Sequence, residues 1–351
     1  MKKLTLPALL VLTAPTLAFA ANTASPNTSS SSTAAKSAMQ NLTANGFVDV
    51  VYTLSDATDE FKNADGDSTV DKKFAVSGEL DLATALNPRT AMRMDLDLST
   101  GHDNSALNTS DSAQFEQAFV NYSFDQNMQL KAGVFNNRLG FEKEDAPELY
   151  QVTHSQLWDI WNEQTRLNGN NLAGLEFSAN VSMVTLFAGL LNDRNDVAEK
   201  ISVELGAQIK PMDSMDIVAG LVSADSGTST DGIAGTILDA SMSWKWKQLV
   251  LGGGLLTADE VYDLGMQATA NYAFTDTFSG TARVDYVSYE GDYDNTTSIT
   301  LAGLYAVDKN LYANAELRIM QNNDQAGSTT PNPYRKVGDG SMLFVEVLGT
   351  F

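Results

Sequence analysis

Ser341-Met342-Leu343-Phe344-Val345-Glu346-Val347-Leu348-Gly349-Thr350-Phe351 decides how the rest of the chain is read. Leu343, Val345, Val347, Gly349 and Phe351 fall on one side of an extended backbone, and Met342, Phe344, Glu346, Leu348 and Thr350 on the other. Successive side chains of a strand point to opposite faces, so this two-residue period predicts a strand. Phe351 is in register with the apolar side, whereas the terminus of a soluble β-protein is usually frayed. Two architectures accommodate such a strand. One is a sandwich whose apolar faces meet each other, and the other is a closed sheet whose apolar face meets lipid.

The same period recurs upstream. Phe74, Val76, Gly78, Leu80 and Leu82 alternate with Ala75, Ser77, Glu79, Asp81 and Ala83. Met92, Met94, Leu96 and Leu98 alternate with Arg93, Asp95, Asp97 and Ser99. Ile201 to Lys210 and Leu311 to Met320 repeat the pattern, and no segment is left over to form covering helices. Between the strands, connections are alternately short and long. The short ones are centred on Leu86–Pro88, Asp125–Asn127, Ala179–Val181, Pro211–Ser214, Lys247–Gln248, Asp276–Thr277 and Asp308–Asn310. The long ones are Ser55–Val70, Gly101–Asp111, Leu139–Asn170, Asn192–Lys200, Asp225–Gly235, Ala258–Tyr262, Gly291–Thr296 and Gln321–Gly338. Seven short and eight long connections imply sixteen strands with both chain ends on the short-turn side. Segregation of this kind is the pattern of outer-membrane barrels, with short periplasmic turns and longer outer loops. A soluble sandwich has no reason to sort its loops by length. The fold expected over residues 45–351 is therefore an all-β, transmembrane, antiparallel up-and-down barrel. Tyr122, Phe124, Trp244, Trp246, Tyr272 and Phe274 share the outward parity beside short turns, where a girdle of aromatic rings would sit at headgroup level.

The remaining composition agrees. Lys2 and Lys3, an apolar run over Leu4–Leu17 and Ala18-Phe19-Ala20 read as a secretory signal over residues 1–20, cut before Ala21. Residues 21–44, rich in Ser, Thr, Ala and Asn, are expected to be a flexible periplasmic lead. There is no cysteine, so an exported chain of this length must be held without disulfides. A formal net charge of −22 argues against nucleic acid as a partner, because phosphate contacts need Lys and Arg. The same acidity suits a path that favours cations.

The stretch FEQAFVNYSF, a tight turn, LKAGVFNNRLGFE, a long loop and NLAGLEFSANVSMVTLFAGLLND (Phe115 to Asp193) resembles the OmpL-like β-barrel porins of Gram-negative bacteria. The landmarks are an E-Q-A-hydrophobic-V-x-Y strand at Glu116–Tyr122 and a K-A-G-x-F strand running to G-F-E at Lys131–Glu142. The C-terminal Phe with alternating hydrophobics before it is similar to the closing strand that barrel-assembly machinery reads. The resemblance implies a single barrel forming a channel in the outer membrane. It also implies that the third outer loop, residues 139–170, folds into the lumen.

That loop's own residues fit a packed insert. Pro147 suits the first turn of a helix, and Leu149, Val152, Leu157, Ile160 and Trp161 recur at helical spacings. The alternative is a helix capping the rim. If the loop enters, Glu142, Glu144, Asp145, Glu148, Asp159 and Glu163 would form one wall of a constriction. Arg93, Lys131, Arg283 and Arg318, interleaved with Asp95, Asp97 and further inward carboxylates, would form the other. Opposed charges across a water-filled gap orient polar solutes and penalise apolar ones. Carboxylates outnumber cations on the inward parity, so a mild cation preference is expected.

The function expected is passive diffusion of small hydrophilic solutes, with lipid and lipopolysaccharide as surroundings, no cofactor, no metal and a possible homotrimer. The alternatives are a substrate-selective channel or a non-conducting barrel acting as a surface receptor or adhesin. For the selective channel, Phe119, Phe135, Phe187 and Tyr312 are too scattered in sequence to mark a path. Catalysis is not expected. The two histidines, His102 and His154, lie in outer loops, and adjacent residues such as His154 and Ser155 point different ways and do not readily form a base–nucleophile pair. Asn63–Gly66 hints at a calcium loop, but Phe61 and Lys72 occupy its first and twelfth ligand positions.

Overall fold

A computed structural model describes residues 42–55, 71–99, 112–165, 167, 170–229, 232–290, 295–323 and 340–351. The signal segment, His102, Asn63–Gly66 and most of the longest outer connections lie outside the described residues. The first eight strands are β1 (Thr43–Ser55), β2 (Asp71–Asn87), β3 (Thr90–Ser99), β4 (Ser112–Ser123), β5 (Met128–Asn136), β6 (Asn171–Val181), β7 (Val184–Asn192) and β8 (Ile201–Met212). The second eight are β9 (Met215–Ala224), β10 (Thr236–Trp246), β11 (Leu249–Ala258), β12 (Tyr262–Ala273), β13 (Phe278–Tyr289), β14 (Asn295–Asp308), β15 (Leu311–Asn323) and β16 (Gly340–Thr350). Each pairs antiparallel with its sequence neighbours, and β1 pairs with β16 to close a sixteen-stranded barrel. The first strand begins at Thr43, two residues ahead of the boundary expected at 45.

The seam between β1 and β16 runs in register from Phe47 opposite Thr350 to Ser55 opposite Met342. Phe351 donates its N–H to Gly46 O at 3.0 Å. A Cβ on Gly46 would meet the Phe351 ring at 2.7 Å, so glycine there leaves room for the terminal aromatic ring.

Burial decides between the two architectures. Leu343, Val345 and Val347 are 39%, 45% and 48% exposed, while Glu346 on the opposite face is 2% exposed. Asp49, Glu79, Asp95, Glu204 and Glu316 are likewise buried, and Leu205, Ile299, Leu301 and Leu317 are exposed. A soluble sheet buries its oily face and hydrates its carboxylates. This inversion suits a barrel with lipid outside and polar groups within. Tyr122, Phe124, Trp246, Tyr272 and Phe274 face outward beside the turns, with Tyr122 and Phe124 edge to face at 5.1 Å.

One turn falls elsewhere than expected. The β6–β7 turn is Ser182-Met183, not Ala179–Val181, and Ser182 takes φ 58°. Asn180 instead pairs with Thr185 in the ladder and accepts its hydroxyl at 2.7 Å. Asn would tolerate φ > 0 better than Ser, so the strand register, with Asn180 opposite Thr185 and Val181 opposite Val184, sets the position of this two-residue turn.

Candidate functional site

The segment between β5 and β6 is tied along its length to inward-facing wall residues. Its neck is closed by Asn137 N donating to Asn170 O at 2.9 Å. A 3-10 turn, Ala146–Glu148, carries Pro147 in its first positions, and helix α1 follows at Gln156–Thr165. Ser155 Oγ caps that helix, accepting Trp158 N at 3.2 Å. Leu157, Ile160 and Trp161 are buried on one face of α1. Leu149 and Val152, expected on the same helical spacing, lie outside it. Val152 packs instead with Val51, Met320, Met342 and Phe344 from β1, β15 and β16.

Wall side chains receive the segment. Asp239 on β10 accepts Gly140 N at 3.0 Å and Trp161 Nε1 at 3.1 Å, so one carboxylate joins both limbs. The Phe141 ring lies where a Cβ on Gly252 of β11 would be, 2.0 Å from Cε2, so this approach requires glycine. Glu316 on β15 accepts Val152 N at 2.7 Å, Thr153 N at 3.0 Å and the Thr153 hydroxyl. Thr281 donates its hydroxyl to Tyr150 O.

Arg283 on β13 is the centre of this flank. Its guanidinium donates to Thr153 O (2.6 Å), His154 O (2.9 Å), Asp285 Oδ2 (3.1 Å), Thr300 Oγ1 (3.2 Å) and Glu142 Oε1 (3.3 Å). Glu142 also accepts Gln151 Nε2 and Ser155 N, both at 2.6 Å, and Gln267 Nε2 at 3.0 Å. Burial alone would raise the Glu142 carboxyl. The neighbouring His154 ring, the Arg283 charge and the Ser155 amide overcome that and hold it down to about 2. His154 stacks on Trp158 at 3.7 Å between ring centroids, and the Ser155 hydroxyl caps α1. Arg318 reaches His154 O at 3.4 Å.

A second flank, on β2 to β4, is richer in carboxylates. Arg93 Nε holds Asp95 at 2.7 Å, and its Nη2 reaches Asp81 at 3.4 Å. Asp145 approaches Glu79 and Glu116 there. Glu144 accepts Asn170 N at 3.0 Å and Trp158 Nε1 at 3.2 Å, yet burial pushes it up to about 7. Burial raises Asp145 to about 6 and raises Glu148 as well.

Between the flanks, Lys131 lies 3.6 Å from Glu176 on β6, which Arg138 grips through two bonds of 2.8 and 2.9 Å. A cavity of about 570 Å³ opens beside them, lined among others by Arg93, Lys131, Arg138, Lys143, Asp81 and Asp216. Of the residues expected at a constriction, Glu142 and Arg283 meet directly, and Arg318 joins them through the His154 carbonyl. Arg93, Asp95 and Asp145 form the second group, and Lys131 the third. Glu163 lies apart on α1 and accepts Tyr262 OH at 3.2 Å. Asp159 is in the first turn of α1, and Asp97 is on β3. Sequence reasoning missed Arg138, Asp239 and Glu116. The parity of β10 marks Asp239 as inward; Arg138 lies just past the end of β5, where parity lapses.

A family model described as putative beta-barrel porin-2, OmpL-like, matches residues 41–351. The chain belongs to this family. The solved outer membrane channel DcaP of Acinetobacter baumannii is similar at a TM-score of 0.60 and 8% identity, covering 88% of this chain and 97% of that one. OmpT of Vibrio cholerae, in a form lacking loop L8, is similar at 0.58 and 11%, covering 88% and 99%. A variant of the Rh. blastica porin follows at 0.55 and 12%, covering 88% and 100%. No curated protein sequence matches. Membership of a porin family and a porin-like barrel make the chain an outer-membrane channel.

Proposed function

We propose that this channel passes small hydrophilic solutes by passive diffusion, through a lumen narrowed by the loop 139–170, with a mild preference for cations. The observation that carries the reading is the loop's attachment on two flanks. Glu316, Arg283 and Asp239 hold it on one side, and it meets the Arg93 and Glu79 region on the other. A helix merely capping the rim would not engage inward side chains from β10 to β15. The constriction residues proposed are those expected from sequence, joined by Arg138. Glu142 differs in detail: it touches Arg283 and does not face it across water. Buried carboxylates on β2, β4, β8 and β15 outnumber the cations of the same interior, which supports cation preference. Arg93, Lys131, Arg138 and Lys143 along the cavity keep it mild.

Reversal potential across a salt gradient tests the charge reading, and anion preference would overturn it. Absence of single-channel steps would overturn conduction. One observation favours a selective channel instead. Lys131 sits over the Phe119 and Phe135 rings at 5.3 and 4.8 Å, and Arg138 over Phe187 at 5.6 Å, so three scattered rings converge. Phe135 and Phe187 are buried behind the cations, and Tyr312 stays at a turn, bonded to Lys309 O. Of the three rings Phe119 lines the cavity and the other two stiffen the cations from behind, too little for an aromatic path; block by one solute class at low concentration would reverse that judgement. Export through a cleaved segment 1–20, contact with lipopolysaccharide and a homotrimer complete the proposal. OmpT has been solved in a trimer form. N-terminal sequencing of the mature chain and its mass in detergent test the first and last.

A further inference from the structure

Glu79 on β2, Glu116 on β4 and Asp145 beside the 3-10 turn come from three separate parts of the chain. One carboxylate oxygen of each lies within 4.8 Å of the others. Glu79 and Glu116 are only 5% and 3% exposed. Glu79 Oε1, Glu116 Oε1 and Asp145 Oδ1 are buried without a hydrogen-bond partner among the described residues. Nearby carboxylates are provided for: Asp95 takes Arg93 Nε and Gln117 Nε2, and Asp81 takes Arg93 Nη2. Arg93, the cation that reaches this corner among the described residues, is thereby engaged elsewhere, and the three carboxylates are left facing each other.

Buried acceptors without donors are costly, and like charges this close repel. Protons or a cation must sit among them. A hard, all-oxygen donor set suits Ca2+, whose ligands lie about 2.3–2.6 Å away, so that opposite ligands are about 4.6–5.2 Å apart. Three carboxylates leave room for water from the neighbouring cavity to complete the six to eight ligands that Ca2+ commonly takes. Mg2+ demands a stricter octahedron and sheds its water reluctantly, so it fits a strand-borne cluster less well. We propose that Glu79, Glu116 and Asp145 form a Ca2+ site that clasps the loop to the β2–β4 wall.

The test uses the full mature barrel in detergent, stripped with a chelator and titrated with CaCl2, read by calorimetry and by thermal melting of the β-sheet signal. The wild type is expected to bind Ca2+ with a rise in melting temperature, and MgCl2 at equal concentration to give a smaller rise. E116Q should bind one Ca2+ fewer and lose most of the rise. With chelator present E116Q should melt no lower than the wild type, because a repelling charge has gone; that arm also shows that the variant folds. Undiminished binding and an unchanged rise in E116Q would place the ion on other acidic groups and overturn the site. So would a wild type indifferent to Ca2+, its cluster neutralised by protons. A barrel that conducts without binding Ca2+ sinks this site alone, and one that binds without conducting sinks only the solute reading.

Discussion

The two flanks of the β5–β6 loop solve the same problem in opposite ways. On β13 and β15, opposite charges meet: Arg283 faces Glu142 and Asp285, and Glu316 accepts two amides and a hydroxyl. Of the charged groups of these two strands, only Asp285 Oδ1 and Arg318 Nε are left without a partner among the described residues. On β2 and β4, carboxylates crowd around Arg93, and three oxygens find no donor. The first flank is an anchor whose strength is internal to the chain. The second depends on what solution supplies, protons or cations. A loop held rigidly on one side and conditionally on the other differs from one uniformly fixed, and the difference is open to measurement.

The largest effect is expected at Arg283. Removing one partner of a buried ion pair strands the other, at a cost of about 3–5 kcal/mol. R283A leaves Glu142 and Asp285 buried beside each other's charge, so the loop should swing free. Single-channel conductance should rise and become noisier, and the melting temperature should fall. E316Q is expected to do the same more gently, since hydrogen bonds to a charged group contribute about 1.5–3 kcal/mol. If R283A conducts like the wild type, the anchor is not on this flank.

Acid should act on the two flanks with opposite sign. Glu142, depressed to about 2 in the fold against about 4.3 when unfolded, contributes stability present above pH 4.3 and lost as pH falls through 2. The shift corresponds to roughly 3 kcal/mol. Glu144, pushed up to about 7 by burial, destabilises the loop when ionised above that pH. Its penalty is relieved as pH falls from 7 toward 4.3. Acidification from pH 8 to 5 in chelator should therefore firm the loop, and acidification below 4 should loosen it. Protonation of Glu144 and Asp145 removes negative charge over the upper range, so cation preference read from reversal potential should fall. The E144Q/D145N double variant should flatten that dependence.

The same contrast explains what was legible in the sequence. A two-residue period and alternating loop lengths are local signals, so the barrel, its strand number and its outward-facing apolar residues could be read directly. Parity also placed Arg93, Asp95, Arg283 and Glu316 on the inner wall. Which of them meet could not be read, because the pairings are remote: Glu316 receives the amide of Val152, 164 residues away. Glu116 was legible only as part of a family landmark, since nothing local says that Asp145 will arrive beside it. Ser182 escaped notice for a different reason. Its turn is set by strand register, and a nearby Asn imitates the signal.

The smallest effect, and the sharpest test of the contrast, concerns Ser155. Its hydroxyl caps α1, while its backbone N–H belongs to the Glu142 network. S155A removes the cap and leaves the anchor intact. Loss of an N-cap costs about 1 kcal/mol, which would hasten exchange of the Trp158 amide roughly fivefold. Conductance should stay near the wild-type value, because the wall contacts of Glu142, Arg283 and Glu316 persist. Were S155A to open the channel as R283A is expected to, helix integrity would be what holds the loop, and the ion pairs would follow from it.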